Sequence, residues 1–184
     1  MSDHLGPDSS QAERSRFFEK AIWPHLASVY NLARWMVRNH HDAEDVAQES
    51  LVKAFRSADT FRGNDVRPWL LAIVRNSALN FLGRNNRDKI ESTQDMAELV
   101  DSAPNPETSL VADRRREMVR SAISRLSLEF REALLLREME GMSYKEIAFV
   151  LKVPLGTVMS RLSRARALLV GELIVNKDAS DDVR

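Results

Sequence analysis

The stretch that decides the fold is residues 141–169, GMSYKEIAFVLKVPLGTVMSRLSRARALL. Ser143 and Glu146 have the spacing of a capping box, in which two side chains bond the unpaired N–H groups at a helix start. A short turn at residues 152–156 follows, and apolar residues then return at helical spacing. This order predicts a helix-turn-helix, a motif whose second helix enters the DNA major groove.

The second helix of this motif carries polar and basic residues opposite its apolar side. Thr157 is predicted to cap the helix. The side chains predicted to face the bases are Thr157, Ser160, Arg161 and Arg164. Arginine bonds guanine bidentately, and hydroxyl groups reach bases or phosphates. Arg166 and Lys152 are better placed for phosphates. The alternative is a solvated basic face on a helical hairpin.

A second informative stretch is residues 59–84, DTFRGNDVRPWLLAIVRNSALNFLGR. It predicts a loop at residues 59–65 and a helix over residues 67–84, with Pro68 in the first turn, where proline is tolerated. The predicted polar stripe of this helix, at i, i+4 and i+8, consists of Asn76, Asn80 and Arg84. The loop side chains that could pack against a base pulled from its stack are Phe61, Arg62 and Asn64. The alternative is that Phe61 belongs to the core and the stripe is solvated.

The remaining periodicity predicts an all-α chain of two small domains. Helices are predicted near residues 16–38 and 42–58, the second capped by Asp42. Four helices follow a proline-containing linker, one marked by residues 111–126 and one over 128–140. The predicted divisions are a disordered tail (1–13), a three- to four-helix bundle (14–89), an acidic linker (90–112), a four-helix domain (113–175) and a C-terminal tail (176–184).

The net charge of zero conceals two basic blocks. Residues 14–89 contain 13 basic and 8 acidic residues, and residues 114–175 contain 12 and 7. Between them, residues 90–113 contain six acidic residues and no basic one. Because nucleic acid responds to local basic surface, each block is predicted to bind DNA while the linker stays off it.

Composition excludes several classes of protein. The chain has no cysteine, so disulfides, thiol nucleophiles and cysteine-bound metals are impossible. No apolar run approaches the ~18 residues of a membrane span, and the first 15 residues lack a signal peptide's apolar core. A soluble cytoplasmic protein is therefore predicted, with no membrane insertion, cofactor or small-molecule substrate.

An acidic and amide cluster begins the helix near residue 42: Asp42, Glu44, Asp45, Gln48 and Glu49. These residues either compensate the helix dipole or form a docking face for a basic partner helix, and the sequence leaves both open. His40 and His41 beside Asp42 suggest a metal-dependent hydrolase. Adjacent histidines do not easily converge on one ion, however, so no metal site is predicted.

Together these motifs resemble the bacterial extracytoplasmic-function sigma factors, the small two-domain class of the sigma-70 family. The resemblance covers about residues 17–170. It rests on DAEDVAQESLVKAF (42–55), TFRG…WLLAIVRN (60–76) and residues 141–169, in this order. It implies a protein that is not an enzyme but directs RNA polymerase to promoters.

The resemblance also implies partners. In the family the first domain binds the clamp helices of the largest polymerase subunit, here through Asp42, Asp45, Gln48 and Glu49. Its loop and following helix melt and read the −10 element, here through Phe61, Arg62, Asn64, Asn76, Asn80 and Arg84. The second domain docks on the polymerase flap and reads the −35 element through the helix-turn-helix. An anti-sigma factor is the expected inhibitor. The competing hypothesis is a stand-alone helix-turn-helix regulator with an N-terminal sensor domain.

Overall fold

The computed structural model describes residues 7–37, 39–91 and 110–181, and within these residues every regular element is helical. The chain divides into two compact units, Met1–Leu99 and Val100–Arg184. The prediction of an all-α protein with two helical domains is thus confirmed.

The first unit contains four α-helices. They are α1 (Pro7–Phe17), α2 (Leu26–Val37), α3 (His40–Arg56) and α4 (Val66–Glu91). Helices α2, α3 and α4 pack against one another in all three pairings. Their shared core is built from fully buried aliphatic side chains, among them Ile22, Val29, Met36, Val46, Leu70, Leu71 and Val74. This core holds the exposed sides of α3 and α4 in a fixed relation.

The helix predicted over residues 16–38 is wrong as a single helix. A π-helical turn (Phe18–Ile22) and a 3-10 turn (Trp23–His25) separate α1 from α2. Pro24 lies in the second of these turns. Proline has no N–H to donate and its ring clashes with the carbonyl four residues earlier, so a regular α-helix cannot continue through it.

The predicted disordered tail over residues 1–13 is also wrong in its second half, because α1 begins at Pro7. An isolated helix of this length is marginal in water, so tertiary contacts must support it. Arg14 donates to the carboxylate of Asp59, with Nε 2.9 Å from Oδ2, and the Phe17 ring lies on Phe61. Both partners are distant in sequence, which is why composition did not indicate the helix.

Local chemistry shifts two further boundaries in this unit. The N-cap of α3 is Asn39, whose side chain accepts from the His41 backbone N–H at 2.9 Å, so the predicted cap Asp42 lies inside the first turn. Helix α4 starts where the Asp65 carboxylate accepts from the Arg67 N–H at 2.9 Å. It then runs past residue 84 to Glu91. Gly83 lies within this helix and lowers its stability, but it does not end it.

The second unit is a four-helix domain. It comprises α5 (Leu110–Arg125), α6 (Leu128–Glu138), α7 (Tyr144–Leu151) and α8 (Leu155–Asp181). Helices α5, α6 and α7 each contact α8. The core is again aliphatic, with Leu136, Ile147, Val150, Val158 and Leu162 almost fully buried. Within this domain α8 buries Val158, Leu162 and Ala165 and leaves Ser160 and Arg164 exposed.

The turn chemistry of this unit follows the sequence in part. The capping box of Ser143 and Glu146 is present in both directions. Gly141 has φ +63°, a left-handed conformation that favours glycine. Helix α6 ends before it, at Glu138 with Met139 as the C-cap, two residues earlier than predicted. Ser127 lies at the N-cap of α6, but its side chain makes no capping hydrogen bond.

Helix α8 begins and ends beyond its predicted limits. The Pro154 carbonyl accepts from the N–H groups of Thr157 and Val158, so the helix starts at Leu155 and Thr157 lies within its first turn instead of capping it. The helix also continues to Asp181, into the predicted C-terminal tail. Of the predicted linker 90–112, residues 90–91 and 110–112 are helical and residues 92–109 lie outside the described residues.

Candidate polymerase and DNA interfaces

The first candidate surface is the outer side of α3. Asp45 and Gln48 are exposed on it, whereas Asp42 and Glu49 are half-buried. Glu49 binds Lys53, with Oε1 2.6 Å from Nζ, and lies 3.7 Å from a guanidinium nitrogen of Arg84. The structure therefore groups all four predicted polymerase-binding residues on one helix, but only two of them project freely to solvent.

Lys53 was missed by sequence reasoning, and it links α3 to α4. Its ammonium group donates to Ser77 Oγ of α4 at 3.0 Å and binds Glu49 of α3. Ser77 is fully buried. The position of Lys53 one turn after Glu49 was the available signal in the sequence, but its second partner, Ser77, lies on another helix.

The loop between α3 and α4 is the second candidate surface. It opens with a 3-10 turn, Ala58–Thr60, and passes through Gly63 at φ +155°, a conformation that L residues rarely adopt. Asn64 is exposed. The Arg62 guanidinium folds back and donates to the Phe61 carbonyl oxygen at 2.9 Å. The loop thus exposes the polar Asn64 side chain at its tip, while the Phe61 carbonyl oxygen already accepts a hydrogen bond from Arg62.

Phe61 does not project from this loop. Its half-buried ring packs against Phe17 and Trp69, with centroid distances of 5.6 and 5.5 Å. Phe17 and Trp69 themselves meet edge to face at 6.4 Å. The structure therefore places Phe61 in an aromatic cluster at the edge of the core. Contact of Phe61 with an unstacked base stays a prediction.

The polar stripe of α4 is arranged as its periodicity predicted. Asn76 is half-buried, while Asn80 and Arg84 are exposed, with 65% of the Arg84 side chain accessible. The opposite side of the helix is buried through Leu70, Val74 and related residues. The stripe begins about three helical turns after the loop.

The third candidate surface is the start of α8. Ser160 and Arg164 are exposed there, and Thr157 is half-buried. Ser160 Oγ donates to the Thr157 carbonyl oxygen at 3.0 Å. Lys152, in the turn before the helix, is exposed and has the left-handed φ of +55°. These residues form the exposed side of a helix-turn-helix, suited to groove and phosphate contacts.

Arg161 departs from its prediction as a base-reading residue. Only 19% of its side chain is exposed, and its guanidinium lies 3.0 Å from Glu129 and 3.6 Å from Glu132, both on α6. The Glu132 side chain is 3% exposed. Arg161 therefore ties the recognition helix to α6. The two glutamates were missed because nothing local in the sequence marks them as partners of α8.

Arg166 is also paired within the unit. Its guanidinium binds Glu138 of α6 at 2.8 Å. Hydrogen bonds to Glu138 and then to Tyr144 raise the pKa of Arg166 above its ordinary value, so it stays cationic. Because the group is almost half exposed, a DNA phosphate can compete with Glu138 for it.

The described parts of the chain contain neither a metal-binding cluster nor a membrane-spanning helix. No group of three or more His, Cys, Asp or Glu side chains is arranged there to hold a metal ion. His40 instead bonds Tyr30 Oη at 2.6 Å through Nδ1 and contacts Glu44 through Nε2. No helix within those residues is long and apolar enough to cross a membrane.

Comparison with known proteins places both units in one family. The family model for Sigma-70 region 2 matches residues 22–88, and that for Sigma-70, region 4 matches residues 116–169. The chain is 35% identical over 153 residues to the ECF RNA polymerase sigma factor SigE of Mycolicibacterium smegmatis, covering 83% of this chain and 60% of that protein. It is 35% identical over 192 residues to the ECF RNA polymerase sigma-E factor of Haemophilus influenzae, covering 96% and 97%.

A solved structure agrees with these matches. The sigma factor RpoE of Bartonella quintana, in complex with the anti-sigma factor NepR, is 30% identical with a TM-score of 0.77, over 86% of this chain and 97% of that one. The two modules thus define a sigma-70-type protein. The chain belongs to the ECF RNA polymerase sigma factors, a family of non-enzymatic transcription initiation factors.

Proposed function

We propose that this protein binds core RNA polymerase and directs it to promoters. Helices α7 and α8 bind the −35 element as duplex, and the loop at residues 59–65 with α4 opens and reads the −10 element. The observation that carries this proposal is that one chain holds both sigma-70 modules, each with its binding side exposed: Asp45 and Gln48 on α3, Asn80 and Arg84 on α4, Ser160 and Arg164 on α8.

In this mechanism, α3 docks on the clamp helices of the polymerase through Asp45 and Gln48, with Asp42 and Glu49 at the edge of the contact. The second unit docks on the flap. Each DNA contact by itself is weak, and their combination on one polymerase gives a high effective concentration at the second site. The chain performs no reaction itself, because nucleotide addition is carried out by the polymerase, and its place of action is the cytoplasm.

An anti-sigma factor is the proposed regulator. The relative from Bartonella quintana was solved in complex with one, and the present chain has the same fold. An inhibitor that covers the α3 surface would compete directly with polymerase, so excess core enzyme should displace it.

The test is run-off transcription with core polymerase and promoter fragments recovered from a random-sequence library by the wild-type protein. Asp45→Arg reverses a charge at the centre of the α3 surface and is expected to abolish initiation without changing the circular dichroism spectrum. Glu19→Arg makes the same charge change at an exposed position of the same unit and is the matched control. Normal transcription by Asp45→Arg would overturn the docking assignment.

The alternative function, a stand-alone helix-turn-helix regulator, predicts a different footprint. Such a protein would protect duplex DNA without polymerase and would leave the strands closed. The sigma-factor assignment predicts strand opening near −10 only when core polymerase and this protein are both present. The exposed stripe on α4, which belongs to a different unit from the helix-turn-helix, favours strand opening.

A further inference from the structure

Helix α1 precedes the segment matched by the Sigma-70 region 2 model, which starts at residue 22, yet it contacts the loop that the proposed function assigns to promoter opening. We propose that Arg14 and Phe17 of α1 are positioning residues, which hold the base of the 59–65 loop so that its exposed tip is preorganised for the opened strand. This inference rests on the proposed function of that loop.

The first contact is electrostatic. Both Nε and Nη2 of Arg14 donate to one carboxylate oxygen of Asp59, in the 3-10 turn that begins the loop. The Arg14 side chain is 33% exposed and the Asp59 side chain 61% exposed, so solvent screens the pair and its contribution is that of a surface ion pair. The backbone carbonyl of the same Asp59 accepts from Arg62. Fixing Asp59 therefore also fixes the acceptor that orients Arg62 at the loop tip.

The second contact is the aromatic cluster. The Phe61 ring contacts both Trp69, in the first turn of α4, and Phe17 of α1, and these two rings also contact each other. Trp69 lies in the long helix α4, one side of which is buried in the core of the unit, whereas Phe17 is the last residue of the short helix α1. Phe17 thus completes a cluster that holds the loop backbone at residue 61. Asn64 is exposed at the loop tip, and the Arg62 guanidinium folds back onto the carbonyl oxygens of Asp59 and Phe61.

The consequence is kinetic. A loop held in one conformation loses less conformational entropy when it captures a base, so fewer attempts at opening fail. Loosening α1 should slow strand opening while leaving polymerase binding through α3 and −35 binding through α8 unchanged. A purely structural role in global folding would alter all three together.

The experiment follows opening of a promoter fragment, recovered by the wild-type protein with core polymerase, through 2-aminopurine fluorescence in the −10 element. Arg14→Glu should slow opening about fivefold, since exposed ion pairs contribute up to about that factor. Arg16→Glu, an exposed residue of the same helix with the same charge change, should stay within about twofold. The double charge swap Arg14→Glu with Asp59→Arg should restore opening to within about twofold of wild type.

A second pair of variants tests the ring. Phe17→Ala should slow opening about tenfold, in line with the contribution of aromatic pairs, and Phe17→Tyr should remain near wild type. Equal rates for Arg14→Glu and Arg16→Glu, or no rescue by the charge swap, would overturn the positioning role. If the wild-type protein with core polymerase opens no promoter at all, the proposed function fails instead, so the two failures are distinguishable.

Discussion

Arg161 should stabilise the second unit more than it contributes to sequence recognition. Its guanidinium lies 3.6 Å from the buried carboxylate of Glu132, on the order of 4–5 kcal/mol of gross attraction at an effective dielectric constant of about 20. Desolvation offsets part of this, and removing one partner of a buried pair costs ~3–5 kcal/mol. Because Arg161 is 19% exposed, we expect the low end, about 3 kcal/mol, for Arg161→Ala.

The chain offers a clean assay for this effect. All three tryptophans, Trp23, Trp35 and Trp69, lie in the first unit, so their fluorescence follows that unit while far-ultraviolet circular dichroism follows both. In urea unfolding, Arg161→Ala should lower the unfolding free energy of the second unit by about 3 kcal/mol. In thermal unfolding, the same loss corresponds to a fall in Tm of roughly 12–24 °C. The tryptophan transition should stay in place.

Arg164→Ala is the matched control, since Arg164 is exposed on the same helix. It should weaken −35 binding and leave stability unchanged. The reasoning would be refuted if Arg161→Ala kept its unfolding free energy within about 0.5 kcal/mol and instead relaxed the base preference at one −35 position. That outcome would mean that Arg161 leaves Glu129 and Glu132 to bind a base.

Three further predictions concern the second unit. Met159→Arg, at a position 48% exposed on the recognition helix, should add a phosphate contact and steepen the salt dependence of −35 binding by about 0.9 in log–log slope, measured by fluorescence anisotropy. Ser143→Ala removes the capping box and should cost about 1 kcal/mol in urea unfolding, with unchanged m-value. Gly141→Ala forces a Cβ into φ +63° and should cost roughly 1–2 kcal/mol, whereas Gly141→Asn should cost less.

Much of the fold was accessible from local sequence patterns. The capping box, the left-handed glycine and the polar stripe on α4 are each determined by residues within a few positions of one another. Such features depend on backbone hydrogen bonding and helical periodicity, which sequence displays directly. The break between α1 and α2 was not predicted, although its signal, Pro24, is equally local.

Other features depended on residues far apart in the chain. Helix α1 is supported by Asp59 and Phe61, and Arg161 is held by glutamates of α6. Helical spacing places Arg161 on the outer side of α8, but the long arginine side chain can bend so that its guanidinium reaches a neighbouring helix. Spacing alone cannot distinguish these cases, because the decision depends on which carboxylates lie across the interface.

The same limit applies to the candidate site. The sequence pattern predicted that Asp42, Asp45, Gln48 and Glu49 lie on one helix, and all four lie on α3. It did not show that Glu49 is already bound to Lys53, or that Phe61 packs against the rings of Phe17 and Trp69. Periodicity predicts which side of a helix a residue occupies, whereas the partners of its polar atoms depend on tertiary packing.

The most direct measurement of the central claim is assembly of the purified full-length protein with bacterial core polymerase that lacks its own specificity subunit. Size-exclusion chromatography with light scattering reports the mass of the complex. The account predicts a one-to-one complex with wild-type protein and with Glu19→Arg, and its loss with Asp45→Arg. If wild-type protein elutes apart from core polymerase, with no inhibitor present, the claim that this chain directs polymerase to promoters is contradicted.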